Sequence, residues 1–324
     1  MFDRLRKNAN SIPYDMFDGE FADAEARRAR RLESIYHVGQ ERIWDGRKVL
    51  AELLEKHGKP TLALEKREAL ARVFSVIMWG ELGAWKISSQ LATELVPLQA
   101  KLAAASQVHD EARHFYVMHD YLEVLGHRPK KMDFWARRLV DMTLATPSLS
   151  KKLFGMQLMI EVVALTIFQS VRELEVEPVL TELLSYYERD EARHVGLGVQ
   201  ALPPMLGKMN LAQRLDFERF ALVLNICQLA SLKSREADMK VLGIEPRRLL
   251  SSGLQRHRQV QKQIAAEYPR WPEDNAGLRL FDALAEMFFP ADGSKGEFAR
   301  RAVHAVGIFR GERVGLINKD LAAA

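Results

Sequence analysis

A chain of 324 residues is long enough for one large core or for two domains, and its 48% apolar content argues against disorder. A net charge of +4 is small for this length and calls for neither nucleic acid nor an anionic membrane. The single cysteine, Cys227, excludes an intrachain disulfide and fits a reducing cytoplasm, while neither a secretory apolar segment nor an unbroken apolar run of the ~20 residues needed for a membrane span is expected.

The pattern is helical nearly throughout, punctuated by proline and glycine. A first helix is expected over about 20–57, with Gly46 a weak point and Gly58 and Pro60 ending it. The run Arg27, Arg28, Arg30 and Arg31 is flanked by acids and reads as a solvated face of that helix. A second helix follows Thr61, a residue suited to an N-cap, and reaches about Leu95. Pro97 opens a third, which ends near Gly126. Residues 127–150 form a connection containing a short helix, and a fourth long helix covers about Leu149 to Glu175. Its apolar stretch from Leu153 to Phe168 contains Gln157 and Glu161 and reads as buried in protein. Pro178 opens a fifth helix, which Pro203 and Pro204 are expected to end. Asn210 caps a sixth, Pro246 precedes a seventh, and a helical stretch follows around Leu278 to Phe289. The whole is expected to be one domain, a bundle core over 61–203 with 210–324 as C-terminal elaboration.

One constellation occurs twice, 80 residues apart. Glu81, Glu111 and His114 recur as Glu161, Glu191 and His194, and both copies carry the word Asp-Glu-Ala-Arg-His. Glutamate and histidine three residues apart share a helix face. Glu81 and Glu111 lie about 14 residues on either side of the turn at Val96 and Pro97, roughly 21 Å along each helix. Glu161 and Glu191 are placed in the same way about the turn near Pro178. Each half is therefore read as a hairpin with its acids level, the two halves joined by one long crossover. Four carboxylates match the charge of two divalent ions, and a metal resolves the cost of burying acids in apolar helices. Oxygen-rich ligation with one imidazole per ion favours iron or manganese over structural zinc.

On these residues the chain resembles the ferritin-like di-iron carboxylate superfamily. The resemblance covers about Thr61 to Leu202. It implies an all-α fold, a ferritin-like four-helix bundle core with additional N- and C-terminal helices. It further implies that Asp110 bonds His194, that Asp190 bonds His114, and that Arg113 and Arg193 join that network. Within the superfamily, the radical tyrosine of reductase small subunits is replaced by Met118, and the crosslinking pair of R2-like ligand-binding oxidases by Ala84 and Met156. The third histidine of arylamine oxygenases is replaced by Tyr187. The threonine of monooxygenase hydroxylases falls at Leu165, next to Thr166, which is a candidate proton-handling hydroxyl or one bonded to its own helix.

The implied activity is that of a dioxygen-activating di-iron oxidase or oxygenase. Its cofactor would be two iron ions, with manganese or a mixed manganese–iron pair as alternatives. Phe74, Met78, Trp85, Phe115, Met159 and Phe168 are candidates to line an apolar substrate pocket, though each taken singly reads more readily as plain core. The implied partners are dioxygen, a small apolar organic substrate and an external electron donor such as a reductase or ferredoxin, with a homodimer common among relatives. Alternatives with the same ligands are an iron-oxidising or peroxide-scavenging protein and a reductase-like subunit lacking the tyrosyl radical.

Overall fold

The computed structural model describes residues 30–267, 276–290, 298–312 and 315, and these contain helices and no strands. Helices α1 (Arg30–Glu41) and α2 (Gly46–His57) stand where one continuous helix was expected. The break has a local cause. The Asp45 carboxylate accepts a hydrogen bond from the Lys48 amide and starts a new helix. Gly46 then packs on Val117 so closely that a Cβ there would sit 2.1 Å from a valine methyl carbon.

The bundle consists of α3 (Leu64–Glu94), α4 (Leu98–Val124), α6 (Leu149–Glu173) and α7 (Pro178–Gly207). A short helix, α5 (Phe134–Ala145), lies in the connection between the halves. Helix α3 begins beyond Thr61, with Ala63 at the cap position. Pro97 caps α4, and the Glu177 carboxylate caps α7 by accepting from the amides of Val179 and Leu180. Helix α7 does not stop at Pro203 and Pro204 but continues to Gly207. Burial of Ala201, Leu202, Pro203 and Leu206 holds the segment helical despite two missing amide donors.

Helices α3 and α4 pair as one hairpin, and α6 and α7 as the other. The hairpins meet through α4 against α7 and α3 against α6. Helix α6 is long and apolar enough to cross a bilayer, but 72% of its most apolar window is buried among its neighbours. After the bundle come α8 (Leu211–Ser234), α9 (Glu236–Val241), α10 (Pro246–Glu267), α11 (Ala276–Phe288) and α12 (Phe298–Phe309). Asn210 and Gln213 form a capping box at the start of α8. Of the basic run, Arg30 and Arg31 are exposed, while Arg27 and Arg28 lie outside the described residues.

Two apolar clusters fill the bundle, and all four core helices pass from one to the other. Helix α3 leaves the first cluster at Met78 and enters the second at Ala84; α4 leaves the second at Ala104 and enters the first at Val117. Helix α6 crosses between Met159 and Ile167, and α7 between Tyr187 and Leu197. In every case the residues at the crossing include the acids of the repeated constellation.

Candidate metal centre

The crossing layer brings the six repeated residues into two overlapping groups. Glu81, Glu111, His114 and Glu191 form one; Glu111, Glu161, Glu191 and His194 form the other. Within each group the candidate ligand atoms lie within 4.8 Å of one another, and all six residues are buried. The two imidazoles each turn Nδ1 into the layer. His114 Nδ1 lies 3.1 Å from Glu191 Oε1 and 3.5 Å from Glu81 Oε2. His194 Nδ1 lies 2.8 Å from Glu191 Oε2, 3.1 Å from Glu111 Oε1 and 3.5 Å from Glu161 Oε1. Glu111 and Glu191 thus offer one oxygen to each histidine.

Helix α6 delivers Glu161 in an unusual way. Residues Phe154–Ile160 form a π-helical segment directly before it. Such wide turns interrupt the α-helical register and recur at functional sites. Here the widened segment buries Gln157 completely and presses it against Gly198 of α7, where a Cβ would meet Gln157 Cβ at 2.5 Å.

No protein-family profile and no curated protein matches the chain in sequence. Solved structures do match in shape. A Synechococcus protein described as having aldehyde deformylating oxidase activity superposes with a TM-score of 0.54 at 20% identity, covering 64% of this chain and 96% of that one. The chain has a ferritin-like helical-bundle fold. A variant of an R2-like ligand-binding oxidase with an aerobically reconstituted Mn/Fe cofactor covers 86% of this chain and 91% of its own at 13% identity, with a TM-score of 0.46.

Around these six residues, the two aspartates of the repeated word cross between the halves. Asp190 Oδ2 lies 3.2 Å from His114 Nε2, and Asp110 Oδ2 lies 3.3 Å from His194 Nε2. A carboxylate only accepts, so each Nε2 carries the hydrogen and a neutral ring keeps its Nδ1 lone pair facing the glutamates. Arg113 donates to both aspartates, at 2.5 Å to Asp110 and 2.9 Å to Asp190. Arg193 reaches the same two at 2.9 and 2.8 Å. Trp44, in the break between α1 and α2, donates its indole N–H to Asp190 Oδ2 at 2.7 Å. Arg113 also lies over the Trp44 ring, 4.7 Å from its centroid.

The electrostatics are those of a layer missing positive charge. Burial pushes the Glu81 carboxyl well above the ordinary range, and the charge of Glu191 pushes it further. Burial and the charges of Glu111 and Glu191 do the same to Glu161. For His114, burial pulls downward, but the Nε2 hydrogen bond to Asp190 and the neighbouring carboxylates of Glu191 and Glu81 win and raise it well above an ordinary imidazole. His194 is raised against burial by the charges of Glu191 and Glu111. Burial also works against ionisation of Asp190, yet its His114 hydrogen bond and the nearby cations hold it low. His114 Nδ1, Glu111 Oε2 and Glu191 Oε1 are buried without hydrogen-bond partners. Buried polar atoms are rarely left so. These atoms converge, and they are the atom types that bind iron or manganese, so the donor set fits a dinuclear metal centre.

Beside the layer lies a cavity of about 500 Å³, walled mainly by aliphatic side chains. Its wall includes Glu81 and Glu161 and draws on α3, α5, α6, α8, α10 and α11. Met159 and Thr166 line it; Phe74, Met78, Trp85, Phe115 and Phe168 do not. Phe74, Met78 and Phe168 are packed core, Trp85 is 38% exposed, and Phe115 packs on Trp79 outside the cavity. The Thr166 hydroxyl donates to the Val162 carbonyl at 2.6 Å, within its own helix.

Sequence reasoning passed over Trp44, Gln107 and Gln157, and treated Tyr187 only as a missing histidine. Tyr187 stacks on His114 with ring centroids 4.2 Å apart and donates its hydroxyl to the His114 carbonyl at 2.7 Å. A readable signal did exist for the glutamines, since Gln107 and Gln157 each stand one turn before a repeated glutamate.

Proposed function

We propose that the chain is a dioxygen-activating dinuclear metal oxidase or oxygenase acting on an apolar organic substrate. Glu81, Glu111, His114, Glu161, Glu191 and His194 would hold the ions, as two iron or as a manganese-containing pair. The bound pair supplies the electrons and Lewis acidity that dioxygen activation requires. The observation carrying the reading is the shared wall: two of the six candidate ligands, Glu81 and Glu161, border the apolar cavity. A storage protein needs the ligands but no such chamber.

The chain's own residues account for the remaining tasks. The aspartate–arginine network fixes the imidazoles so that Nδ1 faces the ions. The aliphatic wall admits a hydrocarbon portion and excludes bulk water from the reacting face. Thr166 stands in that wall, but its hydroxyl proton is already given to Val162, so we assign it to packing rather than proton transfer. Electrons would come from an external donor, and a homodimer remains part of the proposal.

The test has two stages. Mass spectrometry should find two iron or manganese ions per chain, lost in Glu111→Ala. The reduced protein should then consume dioxygen and yield an oxidised product from a panel of aliphatic alcohols, aldehydes, acids and amines. Zero or one ion after anaerobic ferrous loading would remove the dinuclear reading. Rapid repeated oxidation of ferrous iron, with every organic compound unchanged, would replace the oxygenase with an iron-oxidising protein.

A further inference from the structure

The two metal positions are built differently, and the difference traces to one glutamine. Gln107 Nε2 lies 2.6 Å from Glu161 Oε1 and 2.9 Å from Glu111 Oε1. Those two oxygens are the ones facing His194 Nδ1, at 3.5 and 3.1 Å. The other oxygen of Glu111 faces His114 instead. Both contacts therefore fall on the His194 position. The amide has one orientation that avoids conflict. Gln157 Nε2 donates to Gln107 Oε1 at 2.8 Å, which leaves the Gln107 N–H groups for the glutamates. The reverse orientation would set its carbonyl oxygen against two carboxylate oxygens. Gln107 is 1% exposed and Gln157 is fully buried, so water does not compete for these bonds.

The other half has no such device. The residues 80 positions away from Gln107 and Gln157 are Tyr187 and Ile77, and the Tyr187 hydroxyl is spent on a backbone carbonyl. Among the described residues no side-chain amide hydrogen-bonds Glu81, whose near neighbour among donors is His114 Nδ1 at 3.5 Å.

We infer that Gln107, locked by Gln157, is a positioning residue that makes the two metal positions inequivalent. It holds Glu161 and the adjoining oxygen of Glu111 in ligating geometry at the His194 position and leaves Glu81 the less restrained carboxylate on the cavity wall. A carboxylate oxygen has lone pairs enough to accept an N–H and bind an ion together. The inference rests on the dinuclear reading proposed above.

The probe is Mn(II) alone, titrated anaerobically and followed by calorimetry and electron paramagnetic resonance. Wild type should bind two ions. In Gln107→Leu one of them should weaken by about 10–100-fold while the other stays within about threefold, the usual cost of losing a residue that supports a ligand. Half-loaded samples should then show an isolated Mn(II) signal where wild type shows more of the coupled pair. The unchanged ion serves as the control for folding. Gly198→Ala gives a second route: it leaves Gln107 intact but drives against Gln157 at 2.5 Å, and should weaken the same ion. Equal weakening of both ions in Gln107→Leu, or of neither, overturns the inference and leaves the dinuclear reading standing. A wild type that binds fewer than two ions overturns the dinuclear reading itself.

Discussion

Loading the centre should release protons, and the structure names the groups that give them up. Glu81 and Glu161 are pushed well above the ordinary carboxyl range, chiefly by burial, so each keeps its proton to a higher pH than an ordinary carboxyl does. His114 and His194 are raised well above an ordinary imidazole by the carboxylates around them, so each ring carries a second proton. Ligation needs carboxylates and neutral rings, so filling both positions should displace up to about four protons. The sign follows directly: protons and metal compete, and affinity rises with pH. With about four protons displaced, a drop of one pH unit lowers the product of the two binding constants by up to ~10⁴, about 5.4 kcal/mol at 1.36 kcal/mol per proton. Anaerobic calorimetry with Mn(II) at pH 7, in two buffers of different ionisation enthalpy, gives the count, and a repeat at pH 6 gives the slope. Two ions bound with fewer than about two protons released would refute the charge assignment of the layer.

Three further outcomes are expected. Gly80 lines the cavity and has nothing within 4 Å of where a Cβ would stand, so Gly80→Leu should keep both ions, gain up to about 1 kcal/mol from helix propensity, and lose turnover of its largest substrates first. Unchanged turnover across substrate sizes would detach the cavity from the chemistry. Gly155, in the π-helical segment, has Thr143 Oγ1 2.5 Å from where a Cβ would stand; Gly155→Ala should cost about 1–3 kcal/mol by overpacking, read as a fall of several degrees in Tm, and a rise would show that the segment relaxes freely. Chelation of the loaded protein should leave far-ultraviolet dichroism helical, because protons can take the place of the ions; loss of helix on chelation would mean that metal binding is folding here.

The grouping of the six residues was legible because duplication made it so. A lone Glu-x-x-His says little, but two copies with partner glutamates at the same offset, level across each turn, leave few arrangements, and the structure brings those six residues together. The cavity wall was not legible, for a geometric reason. Successive helix residues turn by about 100°. On α3 the cavity borders Ile77, Gly80 and Ala84, on one flank of Glu81, while Phe74, Met78 and Trp85 lie on the other. Hydropathy marks both flanks alike, and large side chains fill space where small ones leave it open. Trp44 escaped notice because it sits in a break that periodicity smoothed over. The break depends on a cap at Asp45 and on the tight approach of Gly46 to Val117, a contact between distant parts of the chain.

The polar layer would be a liability in any other bundle. It lies between two apolar clusters, where an unpaired buried charge costs several kcal/mol. Six carboxylates stand against two arginines, leaving four negative charges with neutral histidines. Two divalent ions would cancel these, and the upward shifts of Glu81, Glu161, His114 and His194 work in the same direction. That balance depends on Arg113 and Arg193, each of which touches both aspartates. The two arginines of the repeated word therefore matter to the centre as much as its ligands do. They hold the aspartates ionised, the aspartates hold the histidine Nε2 hydrogens, and the opposite ring nitrogens are left to face the place where the ions belong.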